Sequence, residues 1–169
     1  MPRKSLKDFN CSWAQAAEAI GDKWSIMIIR DAFFGVKTFS AFTKRIGIAK
    51  NILSQRLDHL QQHDIIQKRP IGLGSSRFEY SLTEKGLALF PVIVALGQWG
   101  DEWVFGKGHE PIILIDRQDR QPIKPMRVEA ANDRTLGLQD VTFEVGPGAS
   151  ETTQQLVKDA DRDDPAAVS

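Results

Sequence analysis

Within "KNILSQRLDHL", Lys50 to Leu60, two kinds of side chain alternate at helical spacing. Leu53, Leu57 and Leu60 fall on one line when successive residues turn by about 100°. Asn51, Ser54, Gln55 and Asp58 fall opposite. Asn and Gln carry a donor and an acceptor side by side, which suits the edge of adenine, and Ser serves either partner. Lys50 stands at the helix start, where the positive end of the helix dipole adds to its attraction for phosphate. Arg56 falls beside the leucine line, so a phosphate contact or an internal ion pair suits it better than a base. A solvated helix back is the competing interpretation, and the neighbouring elements decide between the two.

Those neighbours form a recognisable order. Ser12 and Gln15 fit a capping box opening the helix "WAQAAEAI", which Gly21 ends. Asp22 can cap "KWSIMIIRDAFF", a helix apolar on most of its sides and therefore central or shared with a partner chain. Thr38 caps a third helix bearing Phe39, Phe42 and Ile46, and Gly47 stops it. Lys50–Leu60 follows after two residues, so the pair reads as helix-turn-helix. "DIIQKRPIGLGSSRFEYSLT" then reads as strand, loop over Gly72 to Ser76, and strand, with Pro70 near a strand end. Thr83 caps a long helix over 84–105, kinked at Pro91. Leu89, Ile93, Leu96, Gly100 and Trp103 form one apolar seam on it. Phe90, Val94, Gly97 and Val104 form a second, and one of the two needs a partner.

The fold class is thus α+β: a winged helix-turn-helix with a long C-terminal dimerisation helix and a small β appendage. The expected domains are 1–107, a β-rich extension over 108–148 with strands in "PIILID" and "VTFEV", and a flexible tail over 149–169.

The charge distribution supports a nucleic-acid partner although the net charge is +0. Residues 1–85 hold fourteen Lys and Arg against eight Asp and Glu, and the remainder reverses those counts. Between Ala32 and Leu57 no acid interrupts Lys37, Lys44, Arg45, Lys50 and Arg56. A local basic field draws phosphate whatever the chain average. Lys37, Thr38, Lys44 and Arg45 are backbone-contact candidates, and Ser75, Ser76 and Arg77 suit phosphate or minor-groove contact.

Other chemistry finds little support. No Ser/His/Asp or paired-carboxylate constellation stands out, "GLGSS" lacks the lysine of a phosphate loop, and His59 with His63 lacks a third metal ligand. No enzyme, cofactor or metal is read. One cysteine makes no internal disulfide, and the longest apolar stretch is short and interrupted by proline. The expectation is a cytoplasmic protein without a membrane partner or signal peptide.

The ordered motifs "CSWAQAAEAIGDKWSIMIIRDAFFG", "FSAFTKRIGI", "LSQRLDHLQQHDII", "FEYSLTEKG" and "LGQWGDEW" resemble the HxlR family of bacterial winged-helix transcription regulators, over roughly 11–105. That resemblance implies a homodimer built from the first and last long helices, with Trp13, Trp24, Leu89, Ile93, Leu96, Trp99 and Trp103 as interface candidates. It also implies palindromic, double-stranded operator DNA. Ala49 and Lys50 stand where family members often open the recognition helix with serine, or serine then proline, so a capping oxygen worth about 1 kcal/mol is missing. Cys11 matches the family's opening cysteine, which some members use to sense oxidants or electrophiles. It is a candidate redox sensor or a small structural side chain, and a small-molecule or oxidant effector follows from the former. The competing function is a winged-helix module that binds protein or a small ligand and not DNA. Trp13, Trp24, Phe33, Phe34 and Trp99 would line its pocket.

Overall fold

The computed structural model describes residues 5–72 and 75–162. Leu73 and Gly74 of the expected wing loop lie outside the described residues, as do 163–169 of the expected tail. Two compact units divide the chain: residues 19–126, and residues up to 18 together with those from 127 onward.

The first unit carries the helix-turn-helix and hairpin. Helix α1 (Ser12–Ile20) leads into α2 (Lys23–Phe33), α3 (Phe39–Ile46) and α4 (Lys50–Gln62). Strands β1 (Ile66–Pro70) and β2 (Phe78–Leu82) then pair antiparallel, Ile66 opposite Leu82 and Pro70 opposite Phe78. Capping sets the boundaries. The Asp22 carboxylate accepts from the backbone N–H groups of Trp24 and Ser25, and Thr38 Oγ1 accepts from Ala41 N at 3.3 Å. Gly47 closes α3 with φ of 70°, a conformation that costs glycine little. Pro70 ends β1, where its missing N–H costs no ladder bond.

Apolar periodicity builds the core. Ile28 and Ile29 of α2, Phe42 of α3, Leu53, Leu57 and Leu60 of α4, and Ile65, Ile66 and Tyr80 form one buried cluster. Helix α2 packs against α3, α4 and β2, the central position its apolar surface demands. Tyr80 meets Phe42 edge to face, with ring centroids 6.5 Å apart.

The helix expected over 84–105 is broken. Thr83 caps α5 (Glu84–Leu87), α6 (Phe90–Gly100) starts afresh, and a π-helical turn (Asp101–Phe105) finishes it. Pro91 explains the break, because its ring would clash with the carbonyl of Leu87 and it offers no N–H. It occupies the first turn of α6, where a proline is tolerated. At Gly86 the chain passes hard against the Ile65 carbonyl, leaving no room for a Cβ. Beyond α6, the Gln98 side chain donates to Lys124 O at 3.1 Å and accepts from Met126 N at 2.7 Å.

Three other expectations need correction. Gln15 does not complete a capping box, since its amide donates to the carbonyls of Leu6, Lys7 and Phe9 and so holds the N-terminal segment. The extension over 108–148 contains no strand among the described residues: it is loop and turn with a short 3-10 helix at Leu138–Asp140, and its only β pairing is the isolated bridges Ile115–Pro122 and Glu129–Thr135. Pro111, Pro122 and Pro125 withhold donors that a ladder would use. The expected flexible tail contains α7 (Glu151–Arg162). Ser150 starts it by accepting from Thr153 N at 3.2 Å, and Asn10 accepts from Ser150 N at 2.8 Å. Composition alone conceals such a cap.

Truncating Leu57, which is 1% exposed, should cost about 2–5 kcal/mol, read as a lower denaturant midpoint for Leu57→Ala. Tyr80 is the chain's single tyrosine, and its phenol is pushed above the usual tyrosine range by burial, then by the charge of Asp58. Alkaline absorbance titration should therefore show phenolate forming later in folded than in unfolded protein. The corresponding stability is present below the unfolded value and is lost as pH rises through the folded one.

Candidate nucleic-acid interface

Helix α4 separates its two faces as its sequence requires. Leu53, Leu57 and Leu60 are no more than 1% exposed. Lys50, Asn51, Ser54, Gln55 and Asp58 are exposed on the far side. The buried line fixes the rotation of the helix, so the polar arc faces outward.

The start of α4 is open. Ala49 takes the capping position with an extended backbone and makes no side-chain cap bond. First-turn N–H groups are therefore left for solvent or an anion, beside the exposed Lys50. The same residues would accept a phosphate oxygen without displacing a protein partner.

Arg56 takes the internal of its two alternatives. Its Nε lies 3.6 Å from Oδ1 of Asp22, the residue that caps α2. The pair ties α4 to the N-terminus of α2, which argues against Arg56 as a base or phosphate contact. Arg45, expected on the phosphate backbone, is likewise engaged: its Nε donates to Asp31 Oδ2 at 3.2 Å, while Arg30 Nη2 donates to Asp31 Oδ1 at 2.7 Å. Asp31 is 0% exposed, and a buried carboxylate requires such partners. The sequence contains a signal for it, since Asp31 follows Ile28 at a step of three and so sits on the buried stripe of α2. Its partner fourteen residues later carries no such signal.

Thr38 serves as the cap of α3, and its backbone bridges to Glu79 of β2. Lys37, just before that helix, and Lys44, in its last turn, are exposed. In the hairpin, Arg77 N donates to Ser75 Oγ at 3.0 Å, and Ile71 N donates to Arg77 O at 3.0 Å. Ser75 is thus partly occupied in shaping its own loop, while Ser76 and the Arg77 side chain are exposed. Lys68 of β1 lies 4.3 Å from the Phe78 ring centroid, a cation–π contact that stiffens the hairpin.

The proposed interface residues divide in two. Trp24, Leu89 and Ile93 pack against the chain's own core. Trp13 is 80% exposed, Leu96 46%, Trp99 58% and Trp103 69%. Leu96 and Trp99 lie on α6 and Trp103 on the π-helical turn after it, while Trp13 belongs to α1. Cys11 is an exposed thiol. His59 Nε2 lies 3.1 Å from Ala19 O, a structural contact. Among the described residues no group of three potential ligands could hold a metal ion, and no helix is long and apolar enough to cross a membrane.

Comparison with known proteins agrees with this arrangement. Residues 19–107 match the HxlR-like helix-turn-helix family. Rv3095 of Mycobacterium tuberculosis, named as an HTH-type transcriptional regulator, is 35% identical over 137 residues, spanning 81% of this chain and 87% of the relative. PA1607, a solved structure provisionally described as a transcription factor, superposes with a TM-score of 0.78 at 38% identity, covering 83% of this chain and 99% of that one. The reduced form of the redox regulator HypR aligns with a TM-score of 0.50 at 26% identity, covering 54% of this chain and 91% of that one. These are regulators rather than enzymes. The chain belongs to the HxlR-like helix-turn-helix family and is a transcription regulator of the helix-turn-helix type.

Proposed function

We propose that the protein binds a palindromic DNA operator as a homodimer, each subunit inserting α4 into the major groove. The observation that carries this reading is the exposed arc of Asn51, Ser54 and Gln55 opposite a fully buried leucine line. Lys50 and the uncapped first turn of α4 hold phosphate, while Asn51 and Gln55 read base edges. Lys37, Lys44 and Arg77 contribute backbone contacts. Leu96, Trp99 and Trp103 supply the apolar surface that brings two subunits together, and Trp13 adds an exposed apolar group on α1. The two recognition helices would then enter successive major grooves about 34 Å apart.

Binding to the DNA upstream of the protein's own gene, followed by fluorescence anisotropy, tests this reading. Gln55→Ala should weaken binding by about 1–3 kcal/mol and relax the sequence preference. Lys50→Ala should weaken all sequences alike and flatten the salt dependence by about one phosphate. Full affinity in the double variant would remove α4 from the interface. No DNA binding at any salt would favour a protein- or ligand-binding module instead.

The effector we assign to the regulator is an oxidant acting at Cys11. The exposed thiol and the similarity to the redox regulator HypR support that assignment. With one cysteine per chain, the response takes the form of a small-thiol adduct, overoxidation or a bond between subunits. Cys11→Ser should keep DNA affinity and abolish its change on oxidant treatment. An unchanged oxidant response in that variant would exclude the thiol.

A further inference from the structure

We propose that Val141–Val145 is a preformed strand that pairs antiparallel with the same strand of a second copy, joining the C-terminal extensions of the homodimer. This inference rests on the homodimer reading and adds a second, separate contact to it.

The segment "VTFEV" has the composition and alternation of a strand, yet it has no sheet to belong to. Val141 is extended, with φ of −121° and ψ of 131°. Among the described residues, the backbone groups of 141–145 have no hydrogen-bond partner. Val141, Phe143 and Val145 share one side of an extended chain and are 52%, 63% and 44% exposed. An unpaired extended backbone beside an apolar side-chain row is a template for strand addition.

Both ends of the segment are pinned. Before it, the Asp140 carboxylate accepts from Arg134 Nη1 at 3.0 Å and from Gly137 N at 2.8 Å. After it, Ala149 N donates to Gly146 O in a turn. Asn10 then clamps the far side, donating to Gly148 O at 3.1 Å and accepting from Ser150 N at 2.8 Å. A five-residue stretch held between two anchors has already lost part of the freedom that pairing removes.

The sequence of the strand selects both the partner and the register. Placing Phe143 opposite Phe143 puts Val141 opposite Val145 and Thr142 opposite Glu144, so apolar meets apolar and each acid meets a hydroxyl. Moving the register one way sets Glu144 against Glu144. Moving it the other way sets Asp140 against Glu144. Like charges directly opposite are unfavourable. The nearest registers of the other parity oppose Glu144 to Val141 or to Phe143. The Phe143 register is therefore the two-fold arrangement that pairs the whole of 141–145 with no like charges opposed, and two-fold self-pairing makes both copies use the same patch.

The test uses the full chain in a Cys11→Ser background. Sedimentation should show a dimer, and Phe143→Asp or Val141→Lys should weaken its association about tenfold or more while leaving the circular-dichroism spectrum unchanged. Phe143→Cys should form a covalent dimer under mild oxidation. Thr142→Cys and Glu144→Cys should cross-link to each other when mixed, but neither alone. A dimer that forms normally without these cross-links, or that is indifferent to Phe143→Asp and Val141→Lys, overturns the strand pairing and leaves the homodimer reading intact. A monomeric native chain overturns both.

Discussion

Burial of Leu53, Leu57 and Leu60 is the constraint on which the remainder depends. Each side chain removed from water contributes about 1.5–3 kcal/mol, and α4 can bury all three only at one rotation. They meet Ile28 and Ile29 of the central α2 and Ile65 at the entry to the hairpin in one cluster. Asn51, Ser54 and Gln55 consequently face outward without any interaction of their own to hold them there. The proposed reading edge is fixed by its opposite side. Asp22 strengthens the arrangement by performing two tasks, capping α2 and meeting Arg56 of α4.

A second constraint shapes the electrostatics. Asp31 is enclosed, and its carboxylate is compensated by Arg30 and Arg45. Arg56 pairs with Asp22 and the half-exposed Arg45 with Asp31, so part of the charge in the basic run is balanced by internal acids. Lys37, Lys44 and Lys50 remain as exposed cations around the helix pair. Both arginines hold the scaffold together. In the proposed complex, base contacts along α4 would then carry a larger share of the discrimination.

What could be read from the sequence follows the range of the interactions. Caps at Asp22, Thr38 and Thr83, the stop at Gly47 and the leucine line are local signals, and the structure carries all of them. Ala49 is equally legible as a missing cap. Long-range pairings are not. Asp31 with Arg45 and Asn10 with Ser150 join residues far apart in the chain, and no local pattern announces them. Gln15 shows how a correct residue pattern can serve a different end, because a capping residue with nearby carbonyls in reach satisfies those first. Pro91 was visible as an interruption, but only its place in the first turn of α6 turns a kink into a break. In the extension, β-forming sequence without neighbours gives extended chain rather than sheet.

The central claim is that the outward arc of α4 reads bases in the major groove. Purine methylation interference on the DNA upstream of the gene addresses it most directly, because methyl groups on guanine N7 block the major groove alone. The account predicts two patches of interference whose centres lie about 10 base pairs apart on a palindrome. Binding that tolerates every major-groove methyl group, or that is disturbed only by adenine methylation in the minor groove, would contradict it.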